Sequence, residues 1–158
     1  MTREQKQEFT LRISQANPTQ MVVILYDMLL MYVEECKNSL GEKDYERFRR
    51  GTELVRGCLR ELLHSLNLKY DPAPTLASIY HFCMRRLSAA LACQSLEPLE
   101  EIERVIVPLR EAYDRIAPED SAGPVMGNSQ TIYAGLTYGR NSLTENMSDQ
   151  GANRGMYV

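Results

Sequence analysis

The apolar positions change character twice within the first forty residues. Residues 4–14 carry only Phe9, Leu11 and Ile13 among polar neighbours, which predicts a short helix or an arm with too little apolar surface to stand alone. A helix-start signal follows. Asn17 can cap, Pro18 fits the first helical position, and Gln20 stands at the capping-box position. The helix begun there is expected to run to about Leu40, with Gly41 as a natural stop. Projected at roughly 100° per residue, Val22, Leu25, Leu29, Tyr32 and Cys36 form one stripe, the expected core face. Gln20, Asp27, Glu34 and Asn38 line the opposite side. Yet Val23, Ile24, Leu30 and Met31 all fall within about 60° of Asp27. Four large apolar side chains beside one carboxylate need a cover, either another segment of the chain or a partner. This side of the helix is therefore a candidate binding surface.

Three more amphipathic helices are predicted. The first starts near Lys43-Asp44, with Tyr45, Phe48, Val55, Leu59, Leu62 and Leu66 at helical spacing, and breaks at Asn67 and Asp71-Pro72. The next runs from about Pro74 to Cys93, with Leu76, Ile79, Tyr80, Cys83, Leu87, Ala90 and Leu91 apolar. The last starts near Leu96, with Pro98 in its first turn and the stripe Leu99, Ile102, Ile106, Leu109, Tyr113 and Ile116. Pro108 lies inside it, removes one backbone hydrogen bond and predicts a kink. After Ile116 the chain turns rich in Gly, Ser, Asn and Thr without a sustained period. It reads as a flexible tail with apolar islands at Val125-Met126 and at residues 132–138 and 156–158. No segment alternates as a strand would. The expected fold is all-α: an antiparallel four-helix bundle over residues 1–116 with a short N-terminal helix or arm, and a polar C-terminal tail over residues 117–158.

Composition narrows the function by exclusion. The chain has 158 residues, which suits one domain with a real core. A net charge of −3 leaves no footprint for nucleic acid or an anionic membrane. The arginine-rich run from Arg47 to Arg60 is interleaved with Glu46 and Glu53 at helical pair spacing, the pattern of a solvated face. Residues 21–33 are shorter than the roughly 20 apolar residues that span a bilayer, so no membrane insertion is expected. The mixed-charge N-terminus lacks the apolar core of a signal peptide. Cys36, Cys58, Cys83 and Cys93 form no Cys-x-x-Cys pair and read as thiols of a reducing cytosol, mostly buried.

Reactive chemistry finds little support. Glu61 and His64 match half of a di-iron bundle motif, but Ser78 stands where His81 would need its glutamate. No zinc-protease, phosphate-loop, serine-hydrolase or dinucleotide-binding motif is present. Asp27 has no paired group nearby in sequence for acid–base work. The chain is therefore read as a non-enzyme with no catalytic, cofactor or metal residues. Of Arg85 and Arg86, one is expected to face solvent and the other to be free to anchor an acidic or carboxamide group on a partner.

The order of these features resembles the FliS family of flagellin-specific export chaperones. The pieces that carry the resemblance are Phe9, Ile13 and Asn17-Pro18; Val-Ile-Leu-Tyr-Asp from Val23 to Asp27; Glu-Lys-Asp-Tyr-Glu from Glu42 to Glu46; Glu-Leu-Leu-His-Ser-Leu-Asn-Leu-Lys-Tyr from Glu61 to Tyr70; and Met-Arg-Arg-Leu from Met84 to Leu87. The sequence departs from the family pattern at Phe9, where tyrosine is usual, at Asn17 (serine), Met28 (glycine) and Leu91 (asparagine). The resemblance implies a cytoplasmic helical bundle that binds the C-terminal segment of flagellin, prevents its premature polymerisation and assists delivery to the flagellar export apparatus, without catalysis or cofactor. Another helical adaptor or regulator of flagellar assembly is the alternative.

Helix-in-groove recognition suits the residue pattern. Val23, Ile24, Leu30 and Met31 are expected to line one wall, beside Tyr26 and Asp27. Leu62, Leu66 and Tyr70 are either a second wall or core. Met21, Met28 and Met31 suit a surface that adapts to an incoming chain. Phe9 and Ile13, or alternatively the tail islands, are expected to cover the groove in the free protein.

Overall fold

The computed structural model describes residues 1–126. Each of its first three helices starts where a side chain takes up the free N–H groups of the first turn. Thr2 caps α1 (Arg3–Gln15), and Asn17 caps α2 (Pro18–Gly41). Asp44 caps α3 (Tyr45–His64), its carboxylate accepting from Arg47 N–H at 3.0 Å. α4 (Ala73–Cys93) and α5 (Glu97–Ile116) carry proline in the first turn instead, where no N–H is needed. The Asn17 box is closed in both directions: Oδ1 accepts from Gln20 N–H at 2.7 Å, and Gln20 Oε1 accepts from Asn17 N–H at 2.9 Å.

α2 ends at Gly41, but Gly41 is not the residue that turns the chain. Lys43 takes the left-handed conformation (φ 59°), and Asp44 N–H returns to the Ser39 carbonyl at 2.9 Å. α5 runs on through Pro108, which is exposed, so the carbonyl it leaves free faces water.

Helices α2 to α5 pack in a ring: each against its neighbour in sequence, with α5 closing back onto α2. Short connections make successive helices antiparallel. No strand occurs among the described residues. The shared core holds Leu29, Phe48, Leu59, Leu62, Leu87, Leu99, Ile102 and Ile106 at its centre. Cys36, Cys58 and Cys83 are buried in it and Cys93 is exposed. Burial pushes the Cys36 and Cys83 thiols up to about 12 and Cys58 to about 11, so all three stay protonated and unreactive at neutral pH.

The phase of α2 differs from the projected one. Leu29, Tyr32 and Cys36 are core as expected, but Tyr26 and Val33 join them fully buried, while Val22 and Leu25 are only half-buried. α2 is wedged between α3 and α5 with α1 laid on a third side, so a single apolar stripe does not describe its surroundings.

Inside the bundle the Tyr26 and Tyr80 hydroxyls bond to each other, and Tyr113 packs edge-on to Tyr26 with centroids 5.7 Å apart. Burial raises both phenols, Tyr80 to about 12. Both remain protonated, each serving as the other's hydrogen-bond partner. Tyr26→Phe strands the Tyr80 hydroxyl, so it is expected to cost about 1–2 kcal/mol in urea unfolding. The Tyr26→Phe, Tyr80→Phe double variant should recover part of that loss. Additive losses would show that the pair is not coupled.

Candidate functional site

α1 holds no fully buried residue. It lies along α2 with Phe9, Arg12 and Ile13 half-buried, and the Arg12 guanidinium sits over the Phe9 ring, 5.5 Å from its centroid. On the α2 side, Val23 and Ile24 are only 4% and 3% exposed, yet neither belongs to the continuous core of the bundle. They line a cavity of about 380 Å³ with Arg12, Gln15 and Ala16 from the end of α1, and with Ala117 and Pro118 from the 3-10 turn Ala117–Glu119. Leu30 and Met31 are half-buried and lean on the core. Two of the four apolar residues flanking Asp27 are thus closed off where α1 ends, and two stay partly open.

Asp27 is the charged centre of this face. One carboxylate oxygen accepts from Arg12 Nη2 on α1, and the other from Arg110 Nε on α5 at 2.8 Å. Arg110 also reaches Asp114 at 2.9 Å. The bond to Asp27 leads the effects that hold the Arg110 guanidinium further above its ordinary range. The helical projection places Asp27 on a solvated side. It is instead a three-helix clasp, joining arm, α2 and α5. Arg12 and Arg110 lie 15 and 83 residues away and were not picked out from the sequence. The available signal was a lone carboxylate among large apolar residues, which calls for cations from elsewhere.

The other expected contacts fall into separate places. Tyr26 and Leu62 are fully buried in the core, and Leu66 is half-buried against it. Tyr70 is 69% exposed in the α3–α4 connection, next to exposed Leu68. Arg85 is exposed on α4, whereas Arg86 pairs with Glu101 of α5 through Nη2 at 2.9 Å. Arg86 therefore already has a carboxylate within the chain. In the arginine-rich run, Arg56 pairs with Glu53, while Arg47 pairs with Glu42 and Glu35. Arg49, Arg50 and Arg60 are exposed. Among the described residues, no cluster of three or more His, Cys, Asp or Glu is arranged to hold a metal ion.

The start of the expected tail, residues 117–126, continues from α5 and folds back on the α1–α2 junction. Its other two apolar islands lie outside the described residues.

The family model described as "Flagellar protein FliS" matches residues 1–120. The chain belongs to the FliS family. The flagellar secretion chaperone FliS of Bacillus subtilis (strain 168) is 22% identical to it over 101 residues, which is 64% of this chain and 76% of that protein. The FliS match includes all of α1 and reaches past the 3-10 turn, so it covers every element that lines the cavity beside Val23 and Ile24.

Proposed function

We propose that this FliS-family protein is a flagellar secretion chaperone that binds the C-terminal segment of flagellin in the cytoplasm, prevents its premature polymerisation and assists type III export. The observation that carries the reading is the face of α2 around Asp27. Val23 and Ile24 are buried outside the bundle core where the end of α1 meets the turn after α5, beside half-open Leu30 and Met31. An amphipathic segment laid along α2 would bury its anchors on these four side chains in the manner of a helix in a groove. Phe9 and Ile13 of α1 act as the cover in the free protein. Tyr70 and Arg85 are exposed elsewhere on the surface and are available as secondary contacts. Hand-over to the export apparatus belongs to the same reading. Among the described residues no helix is long and apolar enough to cross a membrane.

Calorimetry with a flagellin C-terminal peptide tests the wall. Leu30 is half-buried, so an aspartate there can stay hydrated in the free protein. Leu30→Asp is expected to weaken binding by about tenfold or more, through one lost apolar anchor and one carboxylate trapped under the peptide. Helix content by circular dichroism should be unchanged. Ile24→Asp should weaken binding as well, with some loss of stability because Ile24 is buried in the free chain. Unchanged affinity in Leu30→Asp would remove Leu30 from the interface, and unchanged affinity in both variants would refute the wall.

A further inference from the structure

Asp27 lies between the two ends of the candidate wall. Ile24 precedes it by three residues and Met31 follows it by four. At helical rise Ile24 and Met31 stand about 11 Å apart along the axis of α2, on the side where Asp27 sits. A segment laid along α2 that touches both therefore crosses Asp27. It also takes the place of Arg12, whose guanidinium holds one oxygen of Asp27 and lines the cavity beside Val23 and Ile24.

Losing Arg12 unbalances a charge network. Arg12 Nη2 and Arg110 Nε donate to separate oxygens of Asp27, and Arg110 Nη1 donates to Asp114 at 2.9 Å. Two guanidiniums thus balance two carboxylates. Without Arg12 the network is net negative, and Arg110 is shared between both carboxylates. In the free protein water reaches the site, since the Asp27 side chain is 20% exposed and that of Asp114 is 54% exposed. Under a bound segment, the Asp27 oxygen vacated by Arg12 is closed off. A carboxylate oxygen left there without a donor costs binding energy, and a cation on the segment removes that cost.

α1 shows the form of the solution. Three of its half-buried residues, Phe9, Arg12 and Ile13, stand at i, i+3 and i+4 within about one turn. The Arg12 guanidinium lies over the Phe9 ring, 5.5 Å from its centroid, so the ring steadies the cation that meets Asp27. We propose that the flagellin segment bound on this face carries a lysine or arginine that replaces Arg12 on Asp27, flanked by apolar anchors about three or four residues away, and that α1 closes the free protein by presenting the same pattern. The identity of the segment rests on the flagellin-binding reading; the demand for a cation follows from the network. Asp27 is then a specificity-determining residue, selecting amphipathic segments with a positive charge at that step. Arg12 acts in the free protein alone, whereas Asp27 acts in both the free and the bound states.

A flagellin C-terminal peptide and the full chain test this. Replacing each Lys or Arg of the peptide by Gln, one at a time, leaves the protein fold untouched. One such replacement is expected to weaken binding to the parent chain about tenfold in calorimetry. The same replacement should change binding to Asp27→Asn by less than about twofold, because the pair is already broken. Glu34→Gln, which removes an exposed carboxylate from the same helix, should respond as the parent chain does. Stopped-flow kinetics are the second readout. Arg12→Gln is expected to speed association and leave dissociation unchanged, since Arg12 is off the face in the complex. Asp27→Asn should speed both, dissociation by about tenfold. A peptide that binds with no position coupled to Asp27 overturns the cation pairing and leaves flagellin binding in place. Dissociation accelerated as much by Arg12→Gln as by Asp27→Asn overturns it too, because Arg12 would then remain in the complex. Equal loss of coupling in Glu34→Gln also overturns it, since the attraction would belong to the whole face. A parent chain that binds no peptide overturns the flagellin reading and the pairing with it.

Discussion

Gly51→Val is expected to cost about 2–3 kcal/mol in urea unfolding, more than most single substitutions on this fold. Gly51 is buried in the middle of α3, where glycine ordinarily weakens a helix by about 1 kcal/mol relative to alanine. Its presence is explained across the seam: a Cβ at this position would lie 2.7 Å from Cys36 Sγ of α2, with the Cys36 backbone next at 3.9 Å. Cys36 is fully buried, with its thiol directed at the Phe48 carbonyl 3.9 Å away, so it has little room to yield. Valine adds two methyl groups beyond that Cβ, and the α2–α3 pair would have to spread to admit them.

A cycle separates this cause from helix propensity. Gly51→Ala alone should be destabilising or neutral, because the sulfur contact cancels the propensity gain. Cys36→Ala alone should lose stability through the void it leaves. The double variant fills that void with the new methyl group, so it should exceed the sum of the singles by about 1 kcal/mol or more. Additive behaviour would mean that Gly51 is not there for the close approach.

That seam also illustrates what the sequence makes legible. The Asn17–Pro18–Gln20 start, the helix start near Lys43-Asp44 and the regular stripes of α3 and α5 are local signals, written within one or two turns, and they correspond to the elements found. α2 is a different case. It meets other helices on three sides, so apolar residues occur almost all round it and their periodicity cannot set its phase. Tyr26 therefore looked like part of the surface phrase and is instead hydrogen-bonded to Tyr80 in the core. The need for a cover over Val23 and Ile24 was readable, because four large apolar groups around a carboxylate are physically costly in water. That Arg12 and Arg110 would converge on that carboxylate was not, since both contacts span long loops of sequence and depend on packing already in place. The strap from Ala117 to Val125 escaped for the same reason: its partners are backbone atoms and a threonine, which carry no compositional mark.

Deleting residues 1–15, which leaves the Asn17 cap intact, is expected to raise the association rate of a flagellin C-terminal peptide by about tenfold or more. The size follows from how α1 is held. Half-burial of Phe9 and Ile13 contributes about 1 kcal/mol each, and the partly exposed Arg12–Asp27 pair adds at most a modest amount. Against these stands the cost of ordering a 13-residue helix that is marginal when isolated. A net docking energy of about 1.5–2 kcal/mol leaves the groove open in about 3–7% of molecules. When the partner selects the open form, its observed on-rate scales with that fraction, and removing the cover restores the full value. The dissociation rate should change much less, because α1 has already left the groove in the complex. This pattern distinguishes a cover from a contact. If α1 instead gripped the bound peptide, its deletion would leave the on-rate alone and speed dissociation. Asp27→Asn provides the graded version: it weakens the clasp to Arg12 and Arg110 without removing α1, and should raise the on-rate by a smaller factor in the same direction. Association and dissociation rates both unaffected by the two changes would mean that the face of α2 around Asp27 is not where the partner enters.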